Sequence, residues 1–115
     1  MPLPTVLAED SAAIRESLIA ALAEIADAEV IAVAETAAEA IAALTAHASV
    51  WRLAILDLFL KQGSGLGVLQ ACREREESQR VIVLSNYATA EMRQRCVELG
   101  ADAVFDKSRE IDALV

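Results

Sequence analysis

The residues best suited to chemistry in this sequence are polar or charged side chains that each follow a short apolar run. They are Glu9, Asp10, Asp57, Ser85 and Lys107. Asp57 is the most informative, because it closes an entirely apolar run, where a carboxylate needs either a partner or a function. A structural interpretation is also available, since an acidic residue at the end of a strand can cap the following turn. For Asp57 alone the two interpretations are equally supported.

The acidic residues considered together favour a cation site. Three carboxylates that come close raise one another's energy, and a hard divalent cation with oxygen ligands is the usual remedy. Mg²⁺ fits better than Ca²⁺, because it accepts few protein carboxylates and keeps octahedral positions for water and phosphate oxygens. Lys107 would offer a point charge to one phosphoryl oxygen, and the Ser85 hydroxyl could hydrogen-bond another. The Asp57 carboxylate could itself be the nucleophile, giving an acyl phosphate.

The elements that must position these residues alternate along the chain. Short apolar runs are followed by helical patterns of about ten to fifteen residues, which is typical of repeated βα units. Such units build a parallel sheet with helices on both faces, whose ligands bind beyond the carboxyl ends of the strands. The predicted strands are Thr5 to Glu9, Glu29 to Ala34, Leu53 to Asp57, Arg80 to Ser85 and Ala103 to Asp106.

Helices are predicted from apolar residues at helical spacing and from capping residues. The expected inner positions are Ile14, Leu18, Leu22 and Ile25 in the first helix, Ile41 and Leu44 in the second, Leu66, Leu69 and Cys72 in the third, and Met92, Cys96 and Leu99 in the fourth. Thr36 and Glu39 form a capping box for the second helix, and Ser64 can cap the third. A fifth helix is expected from Ser108, and its truncation is one interpretation, because the sequence ends within eight residues.

Size and composition limit the classes of function. The 115 residues fit a single globular domain over residues 1–115, with 56% hydrophobic and 24% charged residues. Neither a run of about 20 apolar residues nor a signal peptide is present, so we expect no membrane partner and a cytoplasmic location. The net charge of −8 argues against direct nucleic-acid binding by this domain. Cys72 and Cys96 lack metal-ligand spacing and are interpreted as reduced core thiols.

In their order and spacing, these motifs resemble the receiver domain of two-component response regulators over essentially the whole chain. The matching segments are Val6-Leu7-Ala8-Glu9-Asp10, Asp57-Leu58-Phe59-Leu60 with Gly63-Ser64-Gly65-Leu66, Val83-Leu84-Ser85, and Gly100-Ala101-Asp102-Ala103-Val104-Phe105-Asp106-Lys107. The resemblance implies an α/β fold with a doubly wound five-stranded parallel sheet, in the flavodoxin-like order 2-1-3-4-5, and helices on both faces.

The resemblance also implies a signalling switch that is not an enzyme beyond its own phosphorylation and dephosphorylation. Asp57 would accept a phosphoryl group from a sensor histidine kinase or a phosphotransfer protein. Asp10, Asp57 and the Phe59 carbonyl would bind Mg²⁺ directly, and Glu9 would act through water. Lys107 and Ser85 would hold the phosphoryl group. An output domain, a separate downstream protein and homodimerisation through the last helices are all compatible with the sequence.

Several alternatives remain at the level of sequence. A degenerate receiver that binds partners without phosphorylation is kept open by Asn86 and Val104, which replace a usual small residue and a usual aromatic residue of the family. An aspartate-nucleophile phosphatase is disfavoured, because Phe59 stands where that class needs a second aspartate. A flavodoxin is disfavoured, because the acidic pair would repel a phosphate group. The charges of the fourth helix, Glu91, Arg93, Arg95 and Glu98, fit either a solvated face or a partner interface.

Overall fold

The computed structural model describes residues 3–85 and 89–106, and within these ranges strands and helices alternate as predicted. The elements are β1 Leu3–Ala8, α1 Ala12–Ala26, β2 Ala28–Ala34, α2 Ala37–Ala46, β3 Leu53–Asp57, α3 Gly65–Ala71, β4 Arg80–Ser85, α4 Ala90–Glu98 and β5 Ala103–Asp106. The strands pair in parallel in the order β2-β1-β3-β4-β5, which confirms the predicted fold class. The predicted fifth helix lies outside the described residues, as do Asn86 and Lys107.

The bounds of β3, β4 and β5 agree with the prediction, whereas β1 begins and ends earlier than expected. Leu3 and Pro4 already pair with β2, and the strand ends at Ala8, so that Glu9 belongs to the following loop. A proline is tolerated near the start of a strand, where its missing N–H removes little of the hydrogen-bond ladder. The carbonyl of Pro4 is still used, because it accepts a 2.9 Å hydrogen bond from the backbone N–H of Arg52.

Hydroxyl side chains cap the four described helices. Ser11, Thr36, Ser64 and Thr89 each accept a hydrogen bond from a backbone N–H in the first turn of the helix that follows. The predicted capping box of α2 is confirmed on one side, where Thr36 Oγ1 accepts from Glu39 N. On the other side Glu39 Oε1 accepts from Glu35 N at 2.9 Å, one residue before the position expected.

The core lies on both faces of the sheet, because the strands are covered by helices on both sides. One face packs Leu7, Ile55 and Leu84 against Leu18 and Leu22 of α1. The opposite face packs against α2, α3 and α4; its buried members include Val6, Leu56, Val83, Ala40, Val68 and Cys96. Adjacent strand residues therefore alternate between the two clusters, as parallel strands buried on both sides require.

The structure confirms the interpretation of the two cysteines as core thiols. Both are free and buried, and Cys96 packs with Val104 in the cluster under α2, α3 and α4. Burial raises the pKa of both thiols above the ordinary value of 9.0, which keeps them protonated at neutral pH.

Among the described residues, no helix has the length and apolar character that crossing a membrane requires.

Candidate functional site

Three carboxylates meet at the carboxyl edge of the sheet, where β1 and β3 are neighbours. Glu9 and Asp10 follow β1, Asp57 is the last residue of β3, and one carboxylate oxygen of each lies within 4.8 Å of the others. Glu9 and Asp57 are only 1% and 5% exposed, whereas Asp10 is accessible to solvent. We call these three residues the acidic cluster. The structure thus brings together the carboxylates that the sequence placed in two separate loops.

The β1–α1 loop holds Glu9 by its main chain and by its side chain. Its backbone N–H donates to the carbonyl of Ala34 at 2.9 Å, and its carbonyl accepts a 3.0 Å hydrogen bond from Arg15 Nη1. Its carboxylate Oε2 accepts from the backbone N–H of Ser11 at 3.2 Å. The Ser11 hydroxyl in turn caps α1, so the position of the acidic pair is tied to the start of that helix.

The loop between β3 and α3 closes tightly around Asp57. The Asp57 carboxylate accepts a 3.3 Å hydrogen bond from the backbone N–H of Phe59, which fixes the start of the loop. Gly65 N donates to the carbonyl of Leu58 at 2.9 Å, and Phe59 pairs with Ser64 in an isolated bridge. Phe59 is 57% exposed, so this residue is accessible to solvent although its backbone is held.

Backbone hydrogen bonds attach this loop to the start of α2. Lys61 N donates to the carbonyl of Glu35 at 3.0 Å, and Ala37 N donates to the carbonyl of Gln62 at 2.9 Å. Gly63 has a φ of 83°, a left-handed conformation that favours glycine. The loops that follow β1, β2 and β3 therefore form one connected layer above the sheet.

Ser85 stands at the same edge on the strand beside Asp57. It is the last residue of β4, it is fully buried, and its partner on β5 is Asp106. Lys107 directly follows Asp106 in the sequence and lies outside the described residues. The structure therefore places four of the five predicted side chains at one edge.

The donor set of the acidic cluster suits a hard divalent cation. Its ligand atoms are carboxylate oxygens, they are close enough to share one ion, and two of the three side chains are removed from water. Like charges held this close disfavour one another unless a cation or a proton offsets them. Oxygen ligands together with an accessible side at Asp10 match the preference of Mg²⁺, which retains water ligands.

A comparison with protein families agrees with this geometry, since the family model described as the response regulator receiver domain matches residues 5–115. The chain belongs to this family. The receiver domains of response regulators are signalling domains of two-component systems, and the acidic cluster lies within the matched residues.

Individual relatives support the same assignment. The acid tolerance regulatory protein ActR of Rhizobium meliloti is 35% identical over 83 residues, which are 72% of this chain and 42% of ActR. The chain thus spans less than half the length of this curated relative. The signal receiver domain of the response regulator NarL from Mycobacterium tuberculosis superposes with a TM-score of 0.83 at 23% identity, covering 98% of this chain and 93% of that one.

A second solved structure is similar to the same extent. A response regulator from Burkholderia pseudomallei, solved with a phosphorylated aspartic acid, a calcium ion and citrate, superposes with a TM-score of 0.81 at 23% identity. The match covers 97% of this receiver domain and 64% of that chain. At this level of identity the two structural matches establish the shared fold.

Two arginines have roles that sequence patterns did not reveal. Arg15 reaches back from α1 to the Glu9 carbonyl, and its place in the first turns of α1, five residues after Asp10, is the only sequence signal of that contact. Arg93, one of the charged residues of α4, is half-buried and donates to the carbonyl of Val104 at 2.9 Å. Its long side chain turns towards β5, whereas Glu91, Arg95 and Glu98 are exposed, as both interpretations of this face require.

Proposed function

We propose that this receiver domain takes a phosphoryl group onto Asp57 from a phosphohistidine of a sensor histidine kinase or phosphotransfer protein, in a reaction that requires Mg²⁺. The observation that carries the proposal is the acidic cluster, in which the carboxylate of Asp57 lies beside those of Glu9 and Asp10. A lone strand-end aspartate would fit a structural cap equally well. Three carboxylates that share one small volume, two of them buried, indicate a site built for a cation and for phosphoryl chemistry.

Each residue of the proposed site has a defined part. Asp10, Asp57 and the Phe59 carbonyl would hold the ion directly, and Glu9 would hold one of its water ligands. The hydrogen bond from Phe59 N to Asp57 Oδ1 supports this arrangement, because it keeps the Phe59 peptide group beside the carboxylate. Mg²⁺, when bound, supplies positive charge that offsets the charge on the phosphoryl oxygens.

The transfer itself uses the carboxylate of Asp57 as nucleophile. One carboxylate oxygen forms the new O–P bond while the P–N bond of the phosphohistidine breaks, and the electron pair returns to the imidazole. Ser85 Oγ and the ammonium of Lys107 would then bind phosphoryl oxygens. This role is supported by the position of Ser85 on the neighbouring strand and by its pairing with Asp106, the residue that precedes Lys107.

The proposed partners follow from the same chemistry. A phosphohistidine protein supplies the phosphoryl group, and an output domain or a downstream protein binds one of the two conformations between which phosphorylation shifts the equilibrium. The net charge of −8 favours protein partners over direct contact with nucleic acid. A cytoplasmic location is part of the proposal, since that is where the donor kinases present their phosphohistidine.

Intact mass measurement after incubation with Mg²⁺ and acetyl phosphate tests the proposal. We expect a mass increase of one phosphoryl group in the wild type, and none in Asp57→Asn or when the metal is chelated. Asp27→Asn is the matched control, because Asp27 lies at the opposite end of the sheet with a φ of 50°, which asparagine tolerates. Absence of the adduct in the wild type would favour a receiver that works without phosphorylation.

A further inference from the structure

Arg15 is a cationic side chain that contacts the loop of the acidic pair. Its Nη1 atom donates to the carbonyl oxygen of Glu9 at 3.0 Å and lies 3.9 Å from Oε2 of Glu35. The Arg15 side chain is 20% exposed, so it is held against the protein rather than extended into water. A guanidinium is always charged and carries its donors in a rigid plane, which suits it to fix the groups that it contacts.

The first contact acts on the peptide group that joins Glu9 to Asp10. The N–H of Glu9 is already bound to the carbonyl of Ala34, and Arg15 binds the carbonyl of Glu9. Both polar atoms of the Glu9 main chain are therefore fixed. Because this peptide group sets the direction in which the next side chain leaves the backbone, the Arg15 contact constrains the carboxylates of both Glu9 and Asp10. Metal ligands must be held to within about 0.5 Å of their productive position.

The contact of Arg15 with Glu35 links the loop of the acidic pair to the loop of Asp57. The carbonyl of Glu35 accepts a hydrogen bond from Lys61 N, in the loop that follows Asp57 and carries Phe59. The contacts of Arg15 and Glu35 therefore link the acidic pair to the loop of Asp57. The pairing of β1 with β3 links the same two parts of the cluster within the sheet.

We propose that Arg15 is a positioning residue of the cation site, which holds the peptide group of Glu9 and Asp10 and, through Glu35, sets the distance between the acidic pair and Asp57. The proposal rests on the proposed function, because it takes the acidic cluster as the site of Mg²⁺.

Two effects of Arg15 on cation binding oppose each other. Its charge repels a cation, but Glu35 and solvent screen that repulsion, since Glu35 is 45% exposed. Its hydrogen bond to the Glu9 carbonyl positions the carboxylates of the acidic pair. Loss of a residue that holds metal ligands in place typically weakens metal binding about 10- to 100-fold. Positioning therefore outweighs repulsion.

Titration of the whole chain with Mn²⁺, followed by the electron paramagnetic resonance signal of the free ion, tests this role. Arg15→Gln is expected to weaken Mn²⁺ binding on the order of tenfold. Arg15→Lys, which keeps the charge and one donor group, is expected to bind with an affinity between those of wild type and Arg15→Gln. Unchanged or tighter binding in Arg15→Gln would overturn the proposal, because it would mean that repulsion is the dominant effect.

Arg52→Gln is the matched control for the loss of an arginine that binds main-chain carbonyls. The Arg52 guanidinium donates to the carbonyls of Ser49, Val50 and Trp51 at the opposite end of the sheet. Its replacement is expected to leave Mn²⁺ affinity within twofold of wild type, an effect on the order of the variation at independent sites. An equal loss of affinity in both variants would show a general effect of destabilisation and would overturn the specific role of Arg15.

The bridge to Glu35 is tested by a double-mutant cycle. We expect Arg15→Gln to weaken Mn²⁺ binding less in a Glu35→Gln background than in wild type, and strictly additive effects would overturn the bridge. Circular dichroism establishes that each variant is folded. Should Arg15→Gln fail to fold, Arg15→Lys is measured by itself, and wild-type affinity in that variant would overturn the proposal.

The same titration separates a failure of this inference from a failure of the proposed function. If the wild type binds no Mn²⁺, the cation site itself is refuted and the role of Arg15 with it. If the wild type binds Mn²⁺ and Asp10→Asn abolishes binding while Arg15→Gln leaves it unchanged, only the role of Arg15 is refuted.

Discussion

The backbone of Gly65 lies directly against the carbonyl oxygen of Asp57, so that a methyl group on Gly65 would overlap that oxygen. The Cα of Leu58 would lie only 2.9 Å from the same methyl group. These neighbours are main-chain atoms, which cannot rotate away as a flexible side chain can. The absence of a side chain at Gly65 is therefore a condition for the tight loop that follows Asp57.

Gly65→Ala is expected to destabilise the fold by about 1 to 3 kcal/mol, the usual effect of forcing an extra group into a packed site. The added methyl group must displace the Asp57 carbonyl, so phosphorylation by acetyl phosphate should also slow. Gly67→Ala, in the same helix, is the matched control, because a Cβ there would meet no atom within 4 Å apart from the backbone of its own helix. That variant should be more stable by roughly 0.5 to 1 kcal/mol, since alanine favours a helix over glycine.

Urea unfolding at neutral pH, followed by far-ultraviolet circular dichroism, measures both free energies of unfolding. Equal behaviour of the two alanine variants would contradict the proposed overlap at Gly65.

Asp57→Asn is expected to stabilise the protein in the absence of divalent cations. It removes one of three carboxylates that lie within 4.8 Å of one another, and the relief of repulsion is about 1 to 3 kcal/mol at such distances, between the values for bulk water and for a site near the protein surface. Addition of Mg²⁺ should reverse the order, because the ion binds the folded wild type and raises its unfolding temperature by mass action.

Thermal unfolding of wild type and Asp57→Asn is measured without Mg²⁺ and with 10 mM Mg²⁺, which is about the concentration at which a weak site saturates. The unfolding temperatures give the order of stability under each condition. Asp27→Asn again serves as the control for the loss of one negative charge, and it should respond to Mg²⁺ like the wild type. An Asp57→Asn variant that is less stable than wild type without metal would argue that Asp57 acts as a structural cap.

Asp102 should make stability depend on pH in the acid range. Burial raises the pKa of its carboxyl, but hydrogen bonds from Val81 N and Arg75, with the charges of Arg75 and Arg80, more than offset this and lower the pKa below 3.8. The carboxylate is therefore favoured more in the folded than in the unfolded chain. Its contribution to stability is present above pH 3.8 and is lost as the pH falls through the lower folded-state pKa.

Asp102→Asn is accordingly expected to lower the free energy of unfolding by about 1 to 3 kcal/mol at pH 7, since it weakens hydrogen bonds to a charged group. The difference from wild type should shrink below the ordinary pKa of the carboxyl. Glu77→Gln, which removes an exposed charge from the loop between α3 and β4, is the control and should show a small difference at every pH. Urea titrations at each pH measure the difference in free energy of unfolding between wild type and Asp102→Asn. A difference that stays constant between pH 7 and pH 3 would contradict the expected pH dependence.

Gln79 is expected to be a strong determinant of stability although it lies far from the acidic cluster. It is 5% exposed, and its side-chain amide donates to the carbonyls of Ala48 and Trp51 and accepts from the N–H of Glu76. Gln79→Leu would remove this partner from the Ala48 carbonyl and the Glu76 N–H, while the Trp51 carbonyl would keep its hydrogen bond from Arg52, at a cost of about 1 to 3 kcal/mol.

Gln70→Leu is the matched control for this change, because Gln70 is exposed on α3. It should change the free energy of unfolding by no more than roughly 0.5 kcal/mol. Chemical denaturation of both variants checks the difference, and a Gln79→Leu variant as stable as Gln70→Leu would refute the role of the buried amide. Phosphorylation should persist in both variants wherever they are folded.

Much of this molecule follows from local patterns in the chain. Apolar runs indicated β3, β4 and β5 with their observed bounds, and the hydroxyl of Ser64 correctly indicated the start of α3. The cluster of Glu9, Asp10 and Asp57 was also predicted, because the carboxyl ends of parallel strands meet at one edge. Each of these features depends on spacing within a few residues or on the topology of the sheet.

The features that were missed depend on contacts between distant residues. Arg75 donates to the carboxylate of Asp102 at 2.8 Å, 27 residues away, and Gln79 binds a carbonyl 31 residues away. No periodicity marks such pairs, because a long side chain can turn in several directions from the same backbone. Arg93 illustrates the difficulty: its position on α4 indicated a solvated or partner-binding face, and nothing in the pattern indicated that its guanidinium binds a carbonyl of β5.

The position of β1 between β2 and β3 has a consequence for synthesis on the ribosome. β1 pairs with β2 on one edge and with β3 on the other, although β3 ends only at Asp57. A nascent chain that has emerged only as far as β2 leaves the second edge of β1 open and holds two of the three carboxylates. Cotranslational assembly must therefore wait for the β3 segment, and the acidic pair cannot acquire its third carboxylate while the first βαβ unit folds alone.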